Sequence, residues 1–316
     1  MKALVTGILG FAGSHLCEHL LAEGWEVEGT RLHSEPYFLP PEAASRVILY
    51  NCDLRERAAC WQVVEKSHPD VIFHLAAVAF VPRARIQPAL AFDTNVLGTV
   101  NFLEAVHRHR PDCAVVFISS GEVYGRLAAE NVPTSEDAPV RPASYYAATK
   151  VAAETMAAAY CREFGLRVII LRPFSHIGPR QSPDFVTSSF ARQIAQIEKG
   201  IAAPVLSVGN LEAKRDFTDV RDMVRAYRLA ASFCQPGVPY NVASGSTWAI
   251  REVLDVFLSM SRVRVQVRQD PERLRPSDTP IFRGDATRFR QCTRWSPTIP
   301  LEQSLRDILD YWRQRV

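Results

Sequence analysis

Hydrophobic residues in the first half of the chain form short continuous runs that alternate with helical patterns. The runs are Lys2–Thr6, Glu26–Thr30, Val47–Asp53, Asp70–Ala77, Cys113–Ser119 and Arg167–Pro173. Between them, apolar residues recur at helical spacing, which predicts helices after the first run and at Trp61–Lys66, Pro88–Arg110 and Tyr146–Phe164. Strands that alternate with helices in this way predict right-handed βαβ units around a buried parallel sheet.

The pattern loosens after Pro173. A loop, "SHIGPRQSPDF", precedes a predicted helix that ends at Gly200, and two more helices are predicted at Arg221–Ser232 and Ile250–Ser261. We therefore predict an α/β chain: a Rossmann-like doubly wound parallel sheet with a smaller C-terminal cap over the carboxyl ends of its strands, where ligands bind in such sheets. The dinucleotide-binding domain is expected at 1–174 with a return around 215–243, and the substrate-binding domain mainly at 175–316.

Composition narrows the classes of partner. The 316 residues are 47% hydrophobic and 22% charged, as in globular proteins, and a formal charge of +3 without a concentrated basic block gives no support for nucleic-acid binding. Seven scattered cysteines predict reduced thiols in a cytoplasmic protein and no metal site. The apolar run at 71–82 is too short to span a bilayer, and the immediate first strand leaves no room for a signal peptide.

A glycine-rich turn follows the first predicted strand. In "VTGILGFAGSHL", Gly7, Gly10 and Gly13 have the spacing GxxGxxG, between a strand and a helix. Glycines at such a turn permit a tight bend, close approach of a pyrophosphate to the backbone, and close packing of helix on sheet. This position in a βαβ unit predicts a dinucleotide-binding site.

The end of the second strand bears on the choice of cofactor. An NAD-selective site usually has an acidic residue there, but this chain has Thr30-Arg31. Arg31 favours NADP through its 2′-phosphate, with NAD as the alternative because a solvated arginine explains the sequence equally well. Asp53, after the third strand, is placed to meet the adenine edge.

Hydroxyl, phenol, ammonium and carboxylate groups follow the later strands. The strand that ends at Ile118 leads into Ser120-Gly121-Glu122, and Tyr146 and Lys150 lie at positions i and i+4 of a predicted helix, on one face. A tyrosine has an unperturbed pKa of about 10, and a nearby ammonium is expected to lower it, making the phenol a usable acid or base.

Together, the glycine turn, the strand-end serine and "YYAATK" resemble the extended short-chain dehydrogenase/reductases over nearly the whole chain. The resemblance implies that Ser120 hydrogen-bonds the reacting sugar oxygen, Tyr146 is the acid or base, and Lys150 holds the nicotinamide ribose. It implies that Asn95, in "DTNVLGT", orders the active site. The cofactor contacts it implies are Gly7, Gly10, Phe11, Ala12, Gly13, Arg31, Asp53, Leu54, Leu75, Ala76, Ala77, Asn95, Tyr146, Lys150, Pro173 and His176.

Later segments narrow the resemblance. "RPFSHIGPRQSPDFV", "GNLEAKRDFTDVRD", "YNVASG" and "LRPSDTP" are similar to the GDP-mannose 4,6-dehydratases and, more closely, to the GDP-6-deoxy-4-keto-mannose reductases. The resemblance implies a GDP-linked sugar substrate, with Ser175 in place of the asparagine usual in "RPFNH". The substrate contacts it implies are Ser120, Glu122, Tyr146, Ser175, Arg180, Val186, Arg215, Arg275 and Asp278.

Three functions are left open. A reductase would deliver hydride to the C4 ketone of a GDP-6-deoxy-4-keto-hexose while Tyr146 supplies the proton. A GDP-mannose 4,6-dehydratase would use Glu122 as base and acid, and a non-catalytic scaffold would only bind nucleotide. The resemblance also implies a homodimer through the helices near 90–108 and 146–164.

Overall fold

The computed structural model describes residues 1–32, 38–125, 133–274 and 279–316. Its strands are β1 (Lys2–Thr6), β2 (Glu26–Arg31), β3 (Ile48–Asn51), β4 (Val71–His74), β5 (Ala114–Ile118), β6 (Arg167–Pro173), β7 (His176–Ile177), β8 (Val205–Val208), β9 (Lys214–Arg215), β10 (Thr218–Asp219), β11 (Pro239–Val242), β12 (Trp248–Ala249), β13 (Gln266–Gln269) and β14 (Ile281–Phe282). A seven-stranded sheet, all of whose neighbouring strands run parallel, has the order β11-β6-β5-β4-β1-β2-β3. The predicted parallel sheet is confirmed.

Helices cover both faces of this sheet. They are α1 (Phe11–Ala22), α2 (Pro41–Ala44), α3 (Arg57–Ser67), α4 (Val81–Ile86), α5 (Pro88–Phe92), α6 (Gly98–His109), α7 (Tyr145–Phe164), α8 (Val186–Glu198), α9 (Val220–Phe233), α10 (Ile250–Ser259), α11 (Thr287–Thr293) and α12 (Leu301–Arg313). Helices α1 and α9 pack in the core on one face, and α3, α6 and α7 pack in the core on the other.

The central strands are apolar throughout because successive side chains enter two different cores. Along β5, Val116 packs on the side of α1 and α9, whereas Val115 and Phe117 pack on the side of α3, α6 and α7. The adjacent β4 alternates in the same way, with Phe73 in the first core and Ile72 in the second. This two-sided burial is why the sequence shows continuous apolar runs rather than alternation.

The C-terminal part of the chain forms a separate apolar core around α8, α10 and α12. Phe190, Leu254, Phe257, Leu305 and Ile308 are buried in it. Small sheets surround this core: β8 pairs with β13, β7 with β10, and β9 lies between β12 and β14. Between these pieces the chain returns to the large sheet, where β11 pairs with β6 at the edge. Within the described ranges, no helix is long and apolar enough to cross a membrane.

The largest difference from the sequence prediction lies in the helix expected at Pro88–Arg110. The structure divides it into α5, a π-helical turn at Asp93–Leu97, and α6. The Gly98 amide donates to the carbonyl of Asp93, five residues earlier, instead of four. Apolar spacing cannot reveal this turn because the amphipathic pattern continues through it. Other predicted helix ends differ from the observed ones by a few residues, the usual uncertainty at frayed termini.

Candidate functional site

The glycine turn between β1 and α1 has the geometry that a pyrophosphate requires. Gly7 has φ +68°, a left-handed conformation, and a Cβ at this position would lie 3.0 Å from the Cα of Ala76, so the turn requires glycine here. A Cβ on Gly13 would lie 2.2 Å from the Gly7 carbonyl oxygen. Gly10 is the N-cap of α1 and has no side chain, so no N-cap side chain covers the first amides of this helix. The turn therefore fits a dinucleotide.

Two predicted adenosine contacts lie at the ends of neighbouring strands. Arg31 ends β2, and its Nε donates to Asn51 Oδ1 of β3 at 3.0 Å. Asp53 is paired with Arg55, whose Nε and backbone amide both donate to it at 3.0 Å, and this pairing lowers the pKa of the Asp53 carboxyl. Leu54 is buried beside Gly98. Sequence reasoning missed the arginine partner of Asp53, although it is only two residues away.

Asn95 joins the end of β4 to helix α7. Its Oδ1 accepts a hydrogen bond from the Val78 amide at 2.7 Å, and its Nδ2 donates to Thr149 Oγ1 at 2.9 Å. Thr149 in turn donates to the Tyr146 carbonyl at 2.8 Å. The π turn directs Asn95 inward, where it is 2% exposed. The predicted ordering residue thus contacts the helix that carries Tyr146.

The segment after β4 lies directly beside the glycine turn. The amides of Leu75 and Ala76 both donate to Thr6 Oγ1 at 3.1 Å, and Ala77 is half-buried next to them. The preceding His74 is fully enclosed, and its two ring nitrogens contact Thr6 Oγ1 and Thr99 Oγ1. Burial lowers the pKa of His74 to about 3, so this histidine stays neutral. It is a structural support of the turn.

Ser120, Tyr146 and Lys150 come together at the carboxyl end of β5. Ser120 is 8% exposed, and its side chain shares a hydrogen bond with the Tyr146 phenol. Lys150 lies one helical turn after Tyr146 on α7, is 6% exposed, and donates from Nζ to the Ile118 carbonyl at 2.5 Å. The three predicted side chains therefore occupy one site, where parallel strands of such sheets place their ligands.

The expected lowering of the tyrosine pKa is wrong for this structure. Burial raises the pKa of the Tyr146 phenol to about 12; the hydrogen bond with Ser120 opposes the rise and the charge of Glu122 adds to it. Burial also lowers the pKa of the Lys150 ammonium to about 8, against the charge of Glu154. The sequence could not show this because the desolvation of both groups depends on the packed surroundings. The Tyr146 phenol is therefore protonated at neutral pH.

Glu122 lies at the mouth of the same site. It is exposed at the start of a 3₁₀ turn, Gly121–Tyr124, and its backbone amide donates to Ser120 Oγ at 3.1 Å. Its carboxylate is close enough to raise the pKa of Tyr146. The structure therefore brings Glu122 close to Ser120 and Tyr146, as the sequence predicts.

The start of the cap lies on the other side of the glycine turn. Phe11 and His176 stack with ring centroids 5.8 Å apart, and Ser175 accepts from the Thr218 amide through its carbonyl. Pro173 is buried at the end of β6, and Ala12 is half-buried on α1. These predicted contacts are thus neighbours of the predicted cofactor turn.

The more distant predicted substrate contacts lie in the cap. Val186 is the first residue of α8 and is half-buried. Arg215 lies in β9 and donates from Nη1 to the Thr279 carbonyl at 2.7 Å, at the edge of the segment 275–278. Arg275 and Asp278 lie outside the described residues.

Arg180 differs most from its predicted role. Its Nη1 donates to Ser14 Oγ at 3.1 Å and its Nη2 forms an ion pair with Glu18, both on α1. Beside it, His15 Nε2 lies 2.9 Å from the Pro179 carbonyl oxygen. Arg180 also has φ +74°, unusual for a residue with a side chain. Its guanidinium contacts α1 in this structure, and no local pattern in the sequence indicates partners so far away along the chain.

Sequence reasoning also missed a buried ion pair beneath the site. Glu154 on α7 and Arg172 on β6 form this pair, and their side chains are 12% and 6% exposed. Glu154 Oε2 accepts a hydrogen bond from Ser119 Oγ at 2.7 Å. The spacing of Lys150 and Glu154, one helical turn, was the available signal, because it places both side chains on the face of α7 that meets β5.

Comparison with known proteins agrees with this arrangement. The family model described as GDP-mannose 4,6 dehydratase matches residues 4–308. The chain is 36% identical over 315 residues to GDP-6-deoxy-D-mannose reductase from Pseudomonas aeruginosa, covering 100% of this chain and 98% of that protein.

Solved structures give the same result. The structure of RMD from Pseudomonas aeruginosa complexed with NADPH has a TM-score of 0.88 and 36% identity, covering 100% of this chain and 99% of that one. Thermus thermophilus UDP-glucose 4-epimerase in complex with NAD has a TM-score of 0.89 and 30% identity, with 100% of both chains covered. The fold, the glycine turn and the match along almost the full length show that this chain belongs to the GDP-mannose 4,6 dehydratase family of extended short-chain dehydrogenase/reductases.

Proposed function

We propose that this protein reduces the C4 ketone of a GDP-6-deoxy-4-keto-hexose with NADPH. The observation that carries the proposal is the grouping of Ser120, Tyr146 and Lys150 at the carboxyl end of β5, where the Ser120 and Tyr146 side chains share a hydrogen bond and Lys150 Nζ donates to the Ile118 carbonyl. Full-length similarity of 36% to a GDP-6-deoxy-D-mannose reductase supports the ketone substrate, and similarity to a protein complexed with NADPH supports the cofactor.

The chain's own residues would perform the proton chemistry. Ser120 holds the ketone oxygen, and Tyr146 donates its phenolic proton to that oxygen as the bond order falls. Lys150 stabilises the phenolate that remains, through a positive charge in surroundings of low polarity. NADPH, when bound, supplies the hydride that reaches C4. The products are the alcohol and NADP⁺, and solvent restores the proton to Tyr146.

The cofactor fits the residues present. The pyrophosphate would lie on the bare turn at Gly7, Gly10 and Gly13, where Cβ atoms would collide with the backbone or block the helix amides. Arg31 ends β2, the position at which an arginine accommodates a 2′-phosphate. Asp53 and Leu54 would contact the adenine. The ion pair with Arg55 would fix the orientation of the Asp53 carboxylate. We keep NADH as the alternative cofactor.

Replacing Arg31 tests the cofactor choice. Arg31→Ala should weaken NADPH binding roughly tenfold or more, because a hydrogen bond to a charged group contributes about 1.5–3 kcal/mol. NADH, which has no 2′-phosphate, is the internal control and should bind as in the wild type. Titrations followed by the fluorescence of the reduced nicotinamide measure both dissociation constants. Equal losses for the two cofactors would remove Arg31 from the 2′-phosphate site.

The sugar nucleotide would lie across the cleft between the sheet and the cap. Ser175 and Val186 would contact the sugar and Arg215 the pyrophosphate, because an arginine fork meets phosphate oxygens in pairs. Arg275 and Asp278 are proposed for the nucleotide end from the sequence alone. The division into a cofactor domain at 1–174, with a return near 215–243, and a cap at 175–316 belongs to the same proposal, as does a cytoplasmic location.

A GDP-mannose 4,6-dehydratase is the second candidate, favoured by the description of the matching family and by Glu122 at the site mouth. A dehydratase needs Glu122 to take the C5 proton and help expel the C6 hydroxyl, whereas a reductase needs one proton from Tyr146. We expect Glu122→Gln to retain at least about one tenth of ketone reduction, below the 10²–10⁴-fold contribution of a positioned acid or base. The wild type should not convert GDP-mannose. Conversion of GDP-mannose, lost in Glu122→Gln, would establish the lyase instead.

Absorbance of the reduced nicotinamide separates the three functions. A reductase consumes one NADPH for each ketone reduced, a dehydratase returns its cofactor to the starting state in each turnover, and a scaffold changes neither cofactor nor sugar. Stoichiometric loss of absorbance with the 4-keto sugar is the outcome expected here.

A homodimer through the helices near 90–108 and 146–164 is also proposed. Large apolar side chains on these segments are exposed: Phe92 and Leu97 by 47% each, Met156 by 37% and Phe164 by 49%. Exposed apolar area of this kind is typical of association surfaces. A second copy of the chain is the partner that the family resemblance implies.

The dimer is tested by one charge on this surface. Met156→Glu should shift the protein from dimer to monomer in sedimentation velocity, because a desolvated carboxylate opposes the interface. Ile201→Glu is the control: Ile201 is 63% exposed but lies outside both helices, so the dimer should persist. A wild type that sediments as a monomer would contradict the proposal.

A further inference from the structure

A buried polar network lies directly behind the Ser120–Tyr146 pair. Ser119 Oγ donates to Glu154 Oε2 at 2.7 Å, and Arg172 donates from Nε to both Glu154 oxygens at 3.1 and 3.2 Å. Arg172 Nη1 donates to the Tyr124 hydroxyl at 2.8 Å, and this hydroxyl donates to Asn241 Oδ1 at 2.7 Å. The network therefore links the end of β5, the 3₁₀ turn, α7, β6 and β11.

The network is largely buried, and it pairs one carboxylate with one guanidinium. Ser119 is 2% exposed, and Tyr124 and Asn241 are 0% exposed. Burial acts to lower the pKa of the Arg172 guanidinium, but the hydrogen bonds and charge of Glu154 raise it above its usual value. Glu154 is therefore the counter-ion of Arg172 and uses its second oxygen for Ser119. A buried ion pair of this kind requires good hydrogen-bond geometry. We expect it to fix the positions of the neighbouring elements relative to each other rather than to add stability.

The register concerned is that of β5 against α7. Lys150 Nζ binds the Ile118 carbonyl at 2.5 Å, and Glu154, one turn later, binds the Ser119 side chain. Hydrogen bonds thus join Ile118 and the following Ser119 to two consecutive turns of α7. Ser120 is the next residue of the strand end, and Tyr146 lies one turn before Lys150. The relative position of the Ser120 hydroxyl and the Tyr146 phenol, which both contact the reacting oxygen in the proposed reaction, depends on these two hydrogen bonds.

We propose that Ser119, held by the Glu154–Arg172 pair, is a positioning residue that keeps Ser120 in register with Tyr146 for the proposed ketone reduction. Its hydroxyl is bonded to Glu154, so it acts through Ser120, the next residue along the chain. This inference rests on the proposed function for its kinetic consequence, whereas its structural consequence is independent of the substrate.

Ser119→Ala is the appropriate variant because it removes a single hydrogen bond. Glu154 keeps its pairing with Arg172, so no buried charge loses its partner; replacing Glu154 or Arg172 would leave one unpaired and would strongly destabilise the fold. Ser304→Ala is the matched control. Ser304 is 1% exposed and donates to a buried carboxylate, Asp219 Oδ2, at 2.5 Å, but it lies in α12 of the cap. Both variants delete a buried hydroxyl that serves a carboxylate.

We expect Ser119→Ala to lower kcat for ketone reduction about ten- to a hundredfold, with KM within about twofold of the wild type, since small misplacements of reacting groups have effects of this size. Ser304→Ala should lower Tm by a similar amount and leave kcat unchanged. A kcat within about twofold of the wild type in Ser119→Ala, or an equal fall of kcat in Ser304→Ala, would overturn the proposal.

Hydrogen exchange of the substrate-free protein provides the second readout. The Ser119 amide donates to the Leu171 carbonyl, and the Glu122 amide donates to Ser120 Oγ. Exchange of the amides of residues 119–124 should accelerate about tenfold or more in Ser119→Ala and remain unchanged in Ser304→Ala. Unchanged exchange in Ser119→Ala would overturn the positioning role. If the wild type does not reduce the ketone, the proposed function is wrong, and the hydrogen-exchange measurement still tests the positioning role.

Discussion

Tyr146→Phe is expected to lower kcat for ketone reduction by roughly 10²–10⁴-fold, the contribution of a positioned acid or base. In the proposed reaction the phenol is the proton donor, and burial raises its pKa to about 12, so it is protonated at neutral pH. Phenylalanine keeps the ring and removes only the hydroxyl. Both kcat and kcat/KM should therefore fall together, because the lost interaction forms in the transition state.

Tyr145→Phe is the matched control for this change. Tyr145 precedes Tyr146 on α7 but is 59% exposed, so removing its hydroxyl should leave the rate unchanged. Titration of NADPH should give the same dissociation constant for wild type and both variants. Turnover of Tyr146→Phe close to that of the wild type would exclude Tyr146 as the proton donor.

Lys150→Met is expected to lower kcat/KM by roughly 10²–10³-fold, the scale found when one preorganised electrostatic group is removed from an active site. NADPH affinity should fall as well, because Lys150 is assigned to the nicotinamide ribose. Methionine fills a similar volume, and burial of the ammonium opposes the charged form, lowering its pKa to about 8. Lys150→Met also removes the hydrogen bond to the Ile118 carbonyl, so Tm is measured with the rate to separate the kinetic effect from a loss of stability.

The pH profile gives an independent test of Lys150. Its ammonium loses a proton as pH rises through about 8, so kcat/KM of the wild type should fall over that range. Lys150→Met should lack this alkaline fall, while Lys66→Met, at an exposed position on α3, should retain it. An identical alkaline fall in Lys150→Met would assign the titration to another group.

The sequence predicts those parts of the fold for which a local residue pattern is compatible with only one structure. Continuous apolar runs between helices specify a parallel sheet buried on both faces, and β5 shows why, since Val115 and Val116 enter opposite cores. The predicted catalytic group could be proposed for the same reason, because Tyr146 and Lys150 share a face at any i, i+4 spacing on a helix.

Features that depend on distant parts of the chain were not predictable. The pairing of Arg180 with Ser14 and Glu18 requires the cap loop to return to α1. The raised pKa of Tyr146 results from burial, and burial is a property of the assembled site rather than of a motif. The spacing of Glu154 from Lys150 places it on the same face of α7, but its role follows from the contacts of its two oxygens.

The π turn at Asp93–Leu97 has a consequence for exchanging segments between related enzymes. This turn accommodates one residue more than a regular α-helix with the same ends. Removing one residue would restore regular winding between the same ends, but the residues within 93–97 would shift by one position, about 100° around the helix axis. Asn95 would then turn away from Val78 and Thr149, which it now joins. A chimeric protein must therefore take residues 93–97 together with α7 from the same parent, or the active-site helix loses its connection to β4.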